Sequence, residues 1–433
     1  MSRTAARRGV ICALAWLTVV AGTAASAAAT DVRVTHALFG VHDRSGVSYA
    51  AVHEGSVRLW DVGVRWNQVE TAQGVYDWTR LDELVAGAQA AHAQVTMVVA
   101  GTPSFYASKP TKPPRDIAAY ANFVRELMKR YRDFGGHRGI SAYQVWNEGN
   151  VSAYWSGTPA QLAALTRAMW QVHNRWDPQA KVIAPPMVAR LPSQMTTLAA
   201  FHAQRLHGLP VWHYYDAVAL SLYPLPTFGN RRGVPEDSMA LLRQVRSHLR
   251  SVGVPAHEPI WITEINYGLP TGTGSVVHAA PLSGQRQAAN VARTYLLGAA
   301  NGVARIFWYR YDMRTLTVAQ GGGTRGNTLL SDPADPTQVT AGGKAFALVQ
   351  DWMHGRLIGP RHGRPCQRDS HGTYGCTVQD GGVTRRIYWN PFARATVRIA
   401  RGARTVQSLS GAVRAVKGGS RLTVDYRPVM VTH

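Results

Sequence analysis

Acidic residues are scarce in this chain of 433 residues, where 25 Asp and Glu face 47 Lys and Arg. The formal net charge is +22, which would fit binding to nucleic acid or another polyanion. A composition rich in Arg, Ala and Gly can also reflect genome bias, so the charge alone decides nothing. Hydrophobic residues at 45% and charged residues at 17% exclude wholesale disorder. The length fits one large domain and a smaller one.

Long hydrophobic runs are absent beyond the first thirty residues. There, three arginines precede an apolar stretch at 10–21, and small residues follow at 25–29. This three-part layout is typical of a secretory signal peptide. A membrane anchor is the alternative, but the stretch is shorter than the ~20 residues that a bilayer requires. We therefore expect residues 1–29 to be cleaved and the mature protein to be secreted or extracytoplasmic, without a membrane span.

Cysteine is also rare, with three residues in the whole chain. Cys12 lies in the predicted signal peptide and would be removed with it. Cys366 and Cys376 remain, ten positions apart, and in an exported chain such a pair indicates one disulfide rather than two free thiols.

Several motifs of common enzymes are missing. The sequence has no Gly-x-Ser-x-Gly elbow of a serine hydrolase, no P-loop, and no His-Glu-x-x-His or paired-cysteine spacing. We therefore expect no catalytic metal and no cofactor.

Short apolar runs alternate with helical patterns through the middle of the chain. Such alternation would also fit an open doubly wound sheet, but no Gly-rich nucleotide-binding turn follows the first run. Eight strand–helix units predict a (β/α)8 TIM barrel at 30–355, followed by a small antiparallel, sandwich-like β domain at 356–433. The predicted strands lie at 36–41, 56–60, 95–100, 142–146, 181–184, 217–221, 260–263 and 304–308. The predicted helices lie at 81–92, 117–132, 159–176, 239–252 and 285–301.

Two glutamates stand where predicted strands end. Glu148 follows the fourth strand and Glu264 follows the seventh. The carboxyl ends of barrel strands carry the chemistry of this fold. Cleavage of a glycosidic bond requires two carboxyl groups, one protonated to assist the leaving oxygen and one ionised. The alternative is that each glutamate only caps a helix or forms an ion pair.

The motifs around these glutamates resemble those of the retaining glycoside hydrolases of clan A, most nearly family 39 and its relatives. The similar segments are Trp-Asn-Glu-x-Asn at 146–150, Trp-x-Thr-Glu at 261–264, Gly-Val-Tyr-Asp-Trp at 74–78 and Gly-Thr-Pro-Ser at 101–104. The resemblance covers about residues 36–355. One departure is Gly149, where proline is common in the clan.

The resemblance implies a role for each matching residue. Glu148 would be the acid/base and Glu264 the nucleophile, with carboxyl groups about 5–5.5 Å apart and retention of configuration. Asn147 would bind the sugar 2-hydroxyl. Arg58 would keep Glu264 ionised, and Tyr223 would orient Glu264. Trp308 would form the floor of the subsite that holds the reactive sugar.

Some of these expectations have alternatives that the sequence leaves open. Arg58, Tyr223 and Trp308 could each be structural. Further aromatic residues near strand ends could line a cleft or belong to the core: Trp60, Trp66, Tyr106, Tyr154, Trp155, Tyr267, Tyr309 and Tyr311. The protein as a whole could be a non-catalytic carbohydrate-binding or cell-surface protein, or a transglycosylase that uses the same residues.

The partner is expected to be an oligo- or polysaccharide, acted on by a monomer. The glycan, its linkage and endo or exo action stay open. The export signal and the paired glutamates argue against nucleic acid. Residues 356–433 carry 14 Lys and Arg against 3 Asp and Glu, more than half of the excess charge left after signal removal. The C-terminal domain is expected to buttress the barrel, and could hold the enzyme near an anionic cell-envelope polymer.

Overall fold

A ring of parallel strands forms the centre of the protein. The computed structural model describes residues 31–42, 52–225, 233–267, 282–311, 329–332, 335, 337–359 and 365–433, so the predicted signal peptide lies outside the described residues. The ring consists of β1 Phe39–His42, β2 Ser56–Leu59, β3 Gln94–Val99, β4 Ala142–Val145, β5 Lys181–Ile183, β6 Val218–Ser221, β7 Ile260–Ile265 and β8 Val303–Tyr309.

The ring closes through a divided fifth position. Strand β5 pairs with β4, and the short strand Met187–Val188 that follows it pairs with β6. A parallel bridge between Ile183 and Ala217 joins the two sides. On the other side β8 pairs in parallel with β1, so all eight positions are connected. This architecture confirms the predicted (β/α)8 barrel.

Helices surround the ring and bury apolar faces against it. In chain order they are α1 Thr79–Ala90, α2 Ile117–Tyr131, α3 Pro159–Trp176, α4 Pro192–His202, α5 Pro235–Ser251, α6 Gly284–Ala300 and α7 Ala341–Met353. Smaller elements are the helix Trp66–Val69, the 3-10 turns His36–Leu38 and Val211–Tyr214, and the hairpins Glu70–Ala72 with Val75–Tyr76 and Arg205–Leu206 with Leu209–Pro210.

Local sequence signals explain where several of these helices begin. At the start of α3, the Thr158 side chain accepts from the Gln161 amide at 3.1 Å, and the Gln161 side chain accepts from the Thr158 amide at 2.9 Å. This reciprocal capping box stabilises the first turn, and Pro159 fits there because that position needs no amide donor. Helices α4 and α7 were not among the predicted ones, and residues 36–38 form a 3-10 turn rather than the start of β1.

The C-terminal residues form an antiparallel sheet, as expected, but a strand from the N-terminal side joins it. Val32–Val34 pairs with Gly355–Leu357 at one edge. The sheet continues through Tyr374–Asp380, Val383–Trp389, Val429–Thr432, Thr405–Ser408 and Val413–Ala415, with Gln367–Arg368 on Tyr374–Asp380. A separate antiparallel pair is formed by Ala395–Arg398 and Arg421–Val424.

This sheet packs directly on the barrel helices. Cys376, Val378 and Ile387 belong to the same continuous apolar core as the barrel. The Trp389 indole donates to Glu236 of α5 at 3.0 Å, a polar contact between the two parts of the molecule. The expected Cys366–Cys376 disulfide is present in this region, with a sulfur–sulfur distance of 2.03 Å.

Within the described ranges, no helix is both long enough and apolar enough to cross a bilayer.

Candidate active site

A bulge in β7 aims Glu264 into the barrel. Trp261 belongs to the apolar cluster inside the ring. Strict alternation from Trp261 would direct residue 263 inward and residue 264 toward the helices. The pairing with β6 shifts after Ile262, so that Ser221 faces Glu264 and Thr263 is the extra residue. Because of the bulge, residue 264 rather than residue 263 points into the barrel, and the Glu264 carboxylate lies in the interior.

Arg58 is the hub of the polar side chains at this end of the barrel. It lies on β2, is fully buried, and uses all three of its guanidinium nitrogens. Nη1 donates to Glu264 Oε1 at 2.6 Å, Nη2 donates to Asn147 Oδ1 at 2.7 Å, and Nε donates to Gln144 Oε1 at 2.7 Å. One cation therefore fixes side chains from β4, from the turn after β4 and from β7.

Both oxygens of Glu264 have a donor. Arg58 binds Oε1, and the Tyr223 hydroxyl donates to Oε2 at 3.1 Å. Burial and the nearby charge of Glu264 raise the pKa of Tyr223 well above its ordinary value, so the phenol keeps the proton that it donates. A buried carboxylate with a cation and a hydroxyl donor is stabilised in its ionised form.

Glu148 lies in the opposite electrostatic environment. Burial, and after it the negative charge of Glu264, raise the pKa of Glu148 to about 8, while the Ser221 hydroxyl and the positive charges of Arg58 and Arg190 oppose the rise. The two carboxyl groups are therefore neighbours in one buried space. At neutral pH this arrangement favours a protonated Glu148 beside an ionised Glu264, the division of roles that acid-assisted displacement needs.

The backbone after β4 turns sharply to present Glu148. Trp146 and Glu148 both adopt left-handed conformations, with φ of 61° and 39°. Such conformations cost energy in non-glycine residues and persist where surrounding contacts hold them. The holding contacts include the Trp146 indole, which donates to the Tyr154 carbonyl at 2.9 Å, and the Gly149 amide, which donates to the Pro186 carbonyl at 3.0 Å.

The neighbours of residue 149 explain why this position is glycine rather than proline. A Cβ atom at this position would lie 2.4 Å from the Leu162 side chain. Proline, which the clan resemblance would favour here, would also lose the amide that donates to Pro186. Asn150 braces the same turn, because its side chain donates to the carbonyls of Val188 and Gln194 and accepts from the Val188 amide.

Asn147 immediately precedes Glu148 in the sequence and shares the Arg58 guanidinium with Glu264. Its side-chain oxygen accepts from Arg58, which directs that oxygen toward the barrel wall. The amide N–H groups are then the part of Asn147 that can donate to a ligand hydroxyl.

Trp308 does not reach the space between the carboxyl groups. It is fully buried, belongs to the core between strands and helices, and packs at 6.0 Å from the Tyr267 ring. Tyr309 takes the inward position instead, two residues after the inward-facing Phe307. Its ring meets Tyr223 at 6.3 Å and His42 at 4.8 Å.

A second group of polar residues, which the sequence did not reveal as a unit, supports Arg58 from β1. Arg58 Nη1 donates to His42 Nδ1 at 3.3 Å, which leaves the proton on His42 Nε2, and Nε2 donates to Asp61 Oδ1 at 2.5 Å. Arg310 also contacts Asp61, at 3.3 Å. The partly exposed Asp61 therefore links the buried hub to the surface of the site.

The aromatic residues near the strand ends divide between site and core. Trp60 and Tyr154 contact each other at 6.3 Å, and the charges of Glu148 and Glu264, after burial, raise the pKa of Tyr154 to about 12. Tyr154 therefore lies near the carboxyl pair, and Tyr309 reaches it through Tyr223, while Trp60 packs on Tyr154 and also belongs to the core. The other aromatic candidates belong to the core or pack against it: Trp66, Tyr106, Trp155, Tyr267 and Tyr311.

In the part of the chain that the structure describes, no group of three or more His, Cys, Asp or Glu side chains is placed to hold a metal ion.

Comparisons with known proteins define the fold. No protein-family model matches the chain, and no curated protein sequence matches it either. Among solved structures, a glucosidase from Croceicoccus marinus is 14% identical, with a TM-score of 0.66 over 93% of this chain and 96% of the other. A GH30 endoxylanase from Clostridium papyrosolvens C71 is 12% identical, with a TM-score of 0.58 over 93% and 97%.

A third similar structure is the GH51 arabinofuranosidase from Xanthomonas axonopodis pv. citri, at 12% identity and a TM-score of 0.57 over 94% of this chain and 97% of the other. Families 30 and 51 are glycoside hydrolase families of clan A, in agreement with the clan-level resemblance of the motifs. A particular likeness to family 39 stays a prediction. At these identities the similarity establishes a shared fold, and the chemistry of this chain has to be argued from its own residues.

Proposed function

We propose that this protein is a secreted retaining glycoside hydrolase that cleaves an oligo- or polysaccharide by double displacement. The observation that carries the proposal is the contrast between two neighbouring carboxyl groups. Glu264 is held ionised by Arg58 at 2.6 Å, while burial and the charge of Glu264 keep the proton on Glu148. The fold shared with clan A glycoside hydrolases supports the same conclusion.

In the first step, Glu264 attacks the anomeric carbon and the bond to the leaving-group oxygen breaks. Glu148 gives its proton to that oxygen, so the leaving sugar departs as an alcohol. A covalent ester joins the sugar to Glu264. Asn147 donates to the 2-hydroxyl of the reacting sugar, and Tyr309 packs beside it.

The ester changes the acidity of Glu148. Because Glu264 has lost its negative charge, one of the two causes that raise the pKa of Glu148 disappears. Glu148 then accepts a proton from water, and the resulting hydroxide attacks the anomeric carbon and releases Glu264. The same site thus supplies an acid for the first step and a base for the second.

The remaining parts of the chain take supporting roles in this proposal. Residues 30–355 form the catalytic domain, apart from the strand Val32–Val34, which joins the C-terminal sheet. Residues 356–433 buttress the barrel through the shared core and the contact between Trp389 and Glu236. Residues 1–29 direct export, which the Cys366–Cys376 disulfide supports, since disulfides persist in oxidising compartments.

The test is hydrolysis by purified protein across a panel of polysaccharides that differ in sugar and linkage. We expect cleavage of at least one, abolished by Glu264→Ala. Glu148→Ala should regain activity with azide and yield a glycosyl azide of retained configuration. Glu70→Gln, which alters a buried carboxylate outside the site, is the matched control and should remain active. An inverted azide product, or binding without cleavage across the panel, would contradict the proposal.

A further inference from the structure

A cluster of unpaired cations covers one end of the C-terminal domain. We call it the basic end, and its members are Arg398, Arg401, Arg404, Arg414, Lys417 and Arg421. All six are exposed, and no salt bridge in the described part of the chain involves any of them. The stretch 381–424 contains no Asp or Glu at all. The local charge therefore has no compensating partner on this surface.

The fold brings these cations together from separate segments. Arg398 and Arg421 face each other directly across the antiparallel pair Ala395–Arg398 and Arg421–Val424. Their neighbours Val397 and Leu422 point the other way, toward a small apolar cluster. The two arginines thus stand side by side on the outer face, an arrangement that is unfavourable for folding unless an anion is present.

Two turns complete the basic end. The Gly419 amide donates to the Ala400 carbonyl at 3.1 Å, and the Val416 amide donates to the Arg404 carbonyl at 2.9 Å. A Cβ atom at Gly418 would lie 1.8 Å from the Arg401 carbonyl oxygen, so glycine permits the two turns to touch. The contact sets Lys417 beside Arg401 and Arg404.

The basic end lies away from the proposed catalytic face. In the strand Thr405–Ser408, Ser408 lines a cavity of about 570 Å³ together with Gln285 and Ala341, at the start of α6 and of α7. Helices of this fold begin on the side where the active site lies. Arg404 adjoins the opposite end of this strand. The cations of the basic end therefore lie on the side of the molecule that faces away from Glu148 and Glu264.

From this geometry we infer that the basic end binds an acidic polysaccharide and so holds the enzyme on its polymer. Five of the six cations are arginines, whose planar guanidinium groups match carboxylates through two parallel hydrogen bonds. Residues 398–421 include no aromatic side chain, so stacking of neutral sugars or nucleobases has no platform here. The polysaccharide class rests on the proposed function, whereas the anion binding rests on the charges alone.

The first experiment measures binding of the full mature chain to immobilised polygalacturonate and to the same polymer after methyl esterification. The ester keeps the sugar chain and removes its charge. We expect binding to the acid and at least tenfold weaker binding to the ester. Affinity for the acid should fall steadily as the salt concentration rises. Equal binding to both polymers, or none to the acid at low salt, would overturn the inference.

The second experiment compares two triple variants. Arg398→Gln/Arg401→Gln/Arg421→Gln should weaken binding to polygalacturonate at least tenfold. The control Arg132→Gln/Arg175→Gln/Arg250→Gln removes three exposed barrel arginines and should change the affinity for polygalacturonate less than twofold. Both variants are first checked to be at least as resistant to thermal unfolding as the wild type. An unchanged affinity in the first triple, or an equal loss in the control, would refute the assignment.

Duplex DNA in the same assay tests the competing class of polyanion. If DNA binds more tightly than polygalacturonate at equal salt, the inference is wrong and the basic end is a nucleic-acid-binding surface. Hydrolysis is measured separately on the polysaccharide panel. Selective binding without any hydrolysis would overturn the proposed function and leave the anion-binding surface standing.

Discussion

Arg58 and Glu264 form an ion pair of 2.6 Å in the interior of the barrel, with 0% and 8% of their side chains exposed. They come from β2 and β7, 206 positions apart in the sequence. Two charges removed from water at this depth remain favourable only when each has good partners. Arg58 has Gln144 and Asn147 in addition to Glu264, which meets that condition.

Replacing Arg58 with methionine should therefore damage both stability and activity. The variant leaves Glu264 buried without its cation, for which about 3–5 kcal/mol of unfolding free energy is expected to be lost. Urea unfolding measures this loss. The control Arg80→Met breaks the exposed pair with Glu83 and should cost less than about 1 kcal/mol. Equal effects of the two substitutions would mean that Arg58 and Glu264 are not a buried pair.

Glu148→Gln should raise stability at alkaline pH. The folded protein raises the pKa of Glu148 to about 8, so its stability contribution is present at low pH and is lost as the pH rises through that value. Glutamine cannot ionise and avoids the loss. The melting temperature of Glu148→Gln should exceed that of the wild type at pH 9, with a smaller difference at pH 5. A difference that is the same at pH 5 and pH 9 would count against a buried neutral Glu148.

Removal of the charge on Glu264 should lower the pKa of Glu148. In Glu264→Gln the burial of Glu148 remains, but the neighbouring negative charge is gone. Titration of the carboxyl carbons by NMR, with Glu148→Gln to assign the signal, measures the shift. The rise attributed to the charge would be disproved by an identical titration of Glu148 in the wild type and in Glu264→Gln.

Trp308 and Tyr309 are adjacent but should respond differently to substitution. Trp308→Ala removes a fully buried ring from the core and should cost about 3–5 kcal/mol of stability. Tyr309→Phe keeps the ring and should leave folding nearly unchanged, while Tyr309→Ala should raise KM for the cleaved glycan several-fold. Unfolding and steady-state kinetics on the same preparations separate the two effects. A KM change in Trp308→Ala larger than that in Tyr309→Ala would reverse the assignment.

The facing arginines of the basic end should weaken the fold slightly. Arg398→Thr relieves the repulsion with Arg421 and extends the adjacent cross-strand pair Thr396–Thr423. We expect a gain of about 0.2–1 kcal/mol in unfolding free energy at low salt, which disappears at high salt. A loss of stability at low salt would show that the two side chains do not repel each other.

Features carried by local sequence were predictable. The apolar runs of the barrel strands, the glutamates at the ends of the fourth and seventh runs, and the closely spaced Cys366 and Cys376 all correspond to observed elements. Each of these signals lies within a few residues, so pattern alone carries it. Helix α7 was not predicted because Gly342 and Gly343, which are poor helix formers, stand at its start. The structure needs glycine there, since a Cβ at residue 343 would lie 2.1 Å from the Leu330 carbonyl oxygen.

Features that depend on side-chain direction or long-range contact were not predictable. Trp308 ends the eighth predicted strand as expected, but the alternation of that strand turns Tyr309, not Trp308, toward the site. The bulge at Thr263 has no local signal, because it arises from pairing with β6. Asp61 and His42 become partners only when β1 and the residues after β2 meet in the closed ring.

The most direct test of the account is to trap the intermediate on Glu264. A 2-deoxy-2-fluoro glycoside with a good leaving group is made from the sugar of the glycan that the panel identifies, and the inactivated protein is digested for mass spectrometry. We predict one glycosyl adduct per chain, on the peptide that carries Glu264, and none in Glu264→Gln. An adduct on another residue, or turnover of the glycan with inversion of configuration, would contradict the central claim that Arg58 holds Glu264 as the nucleophile.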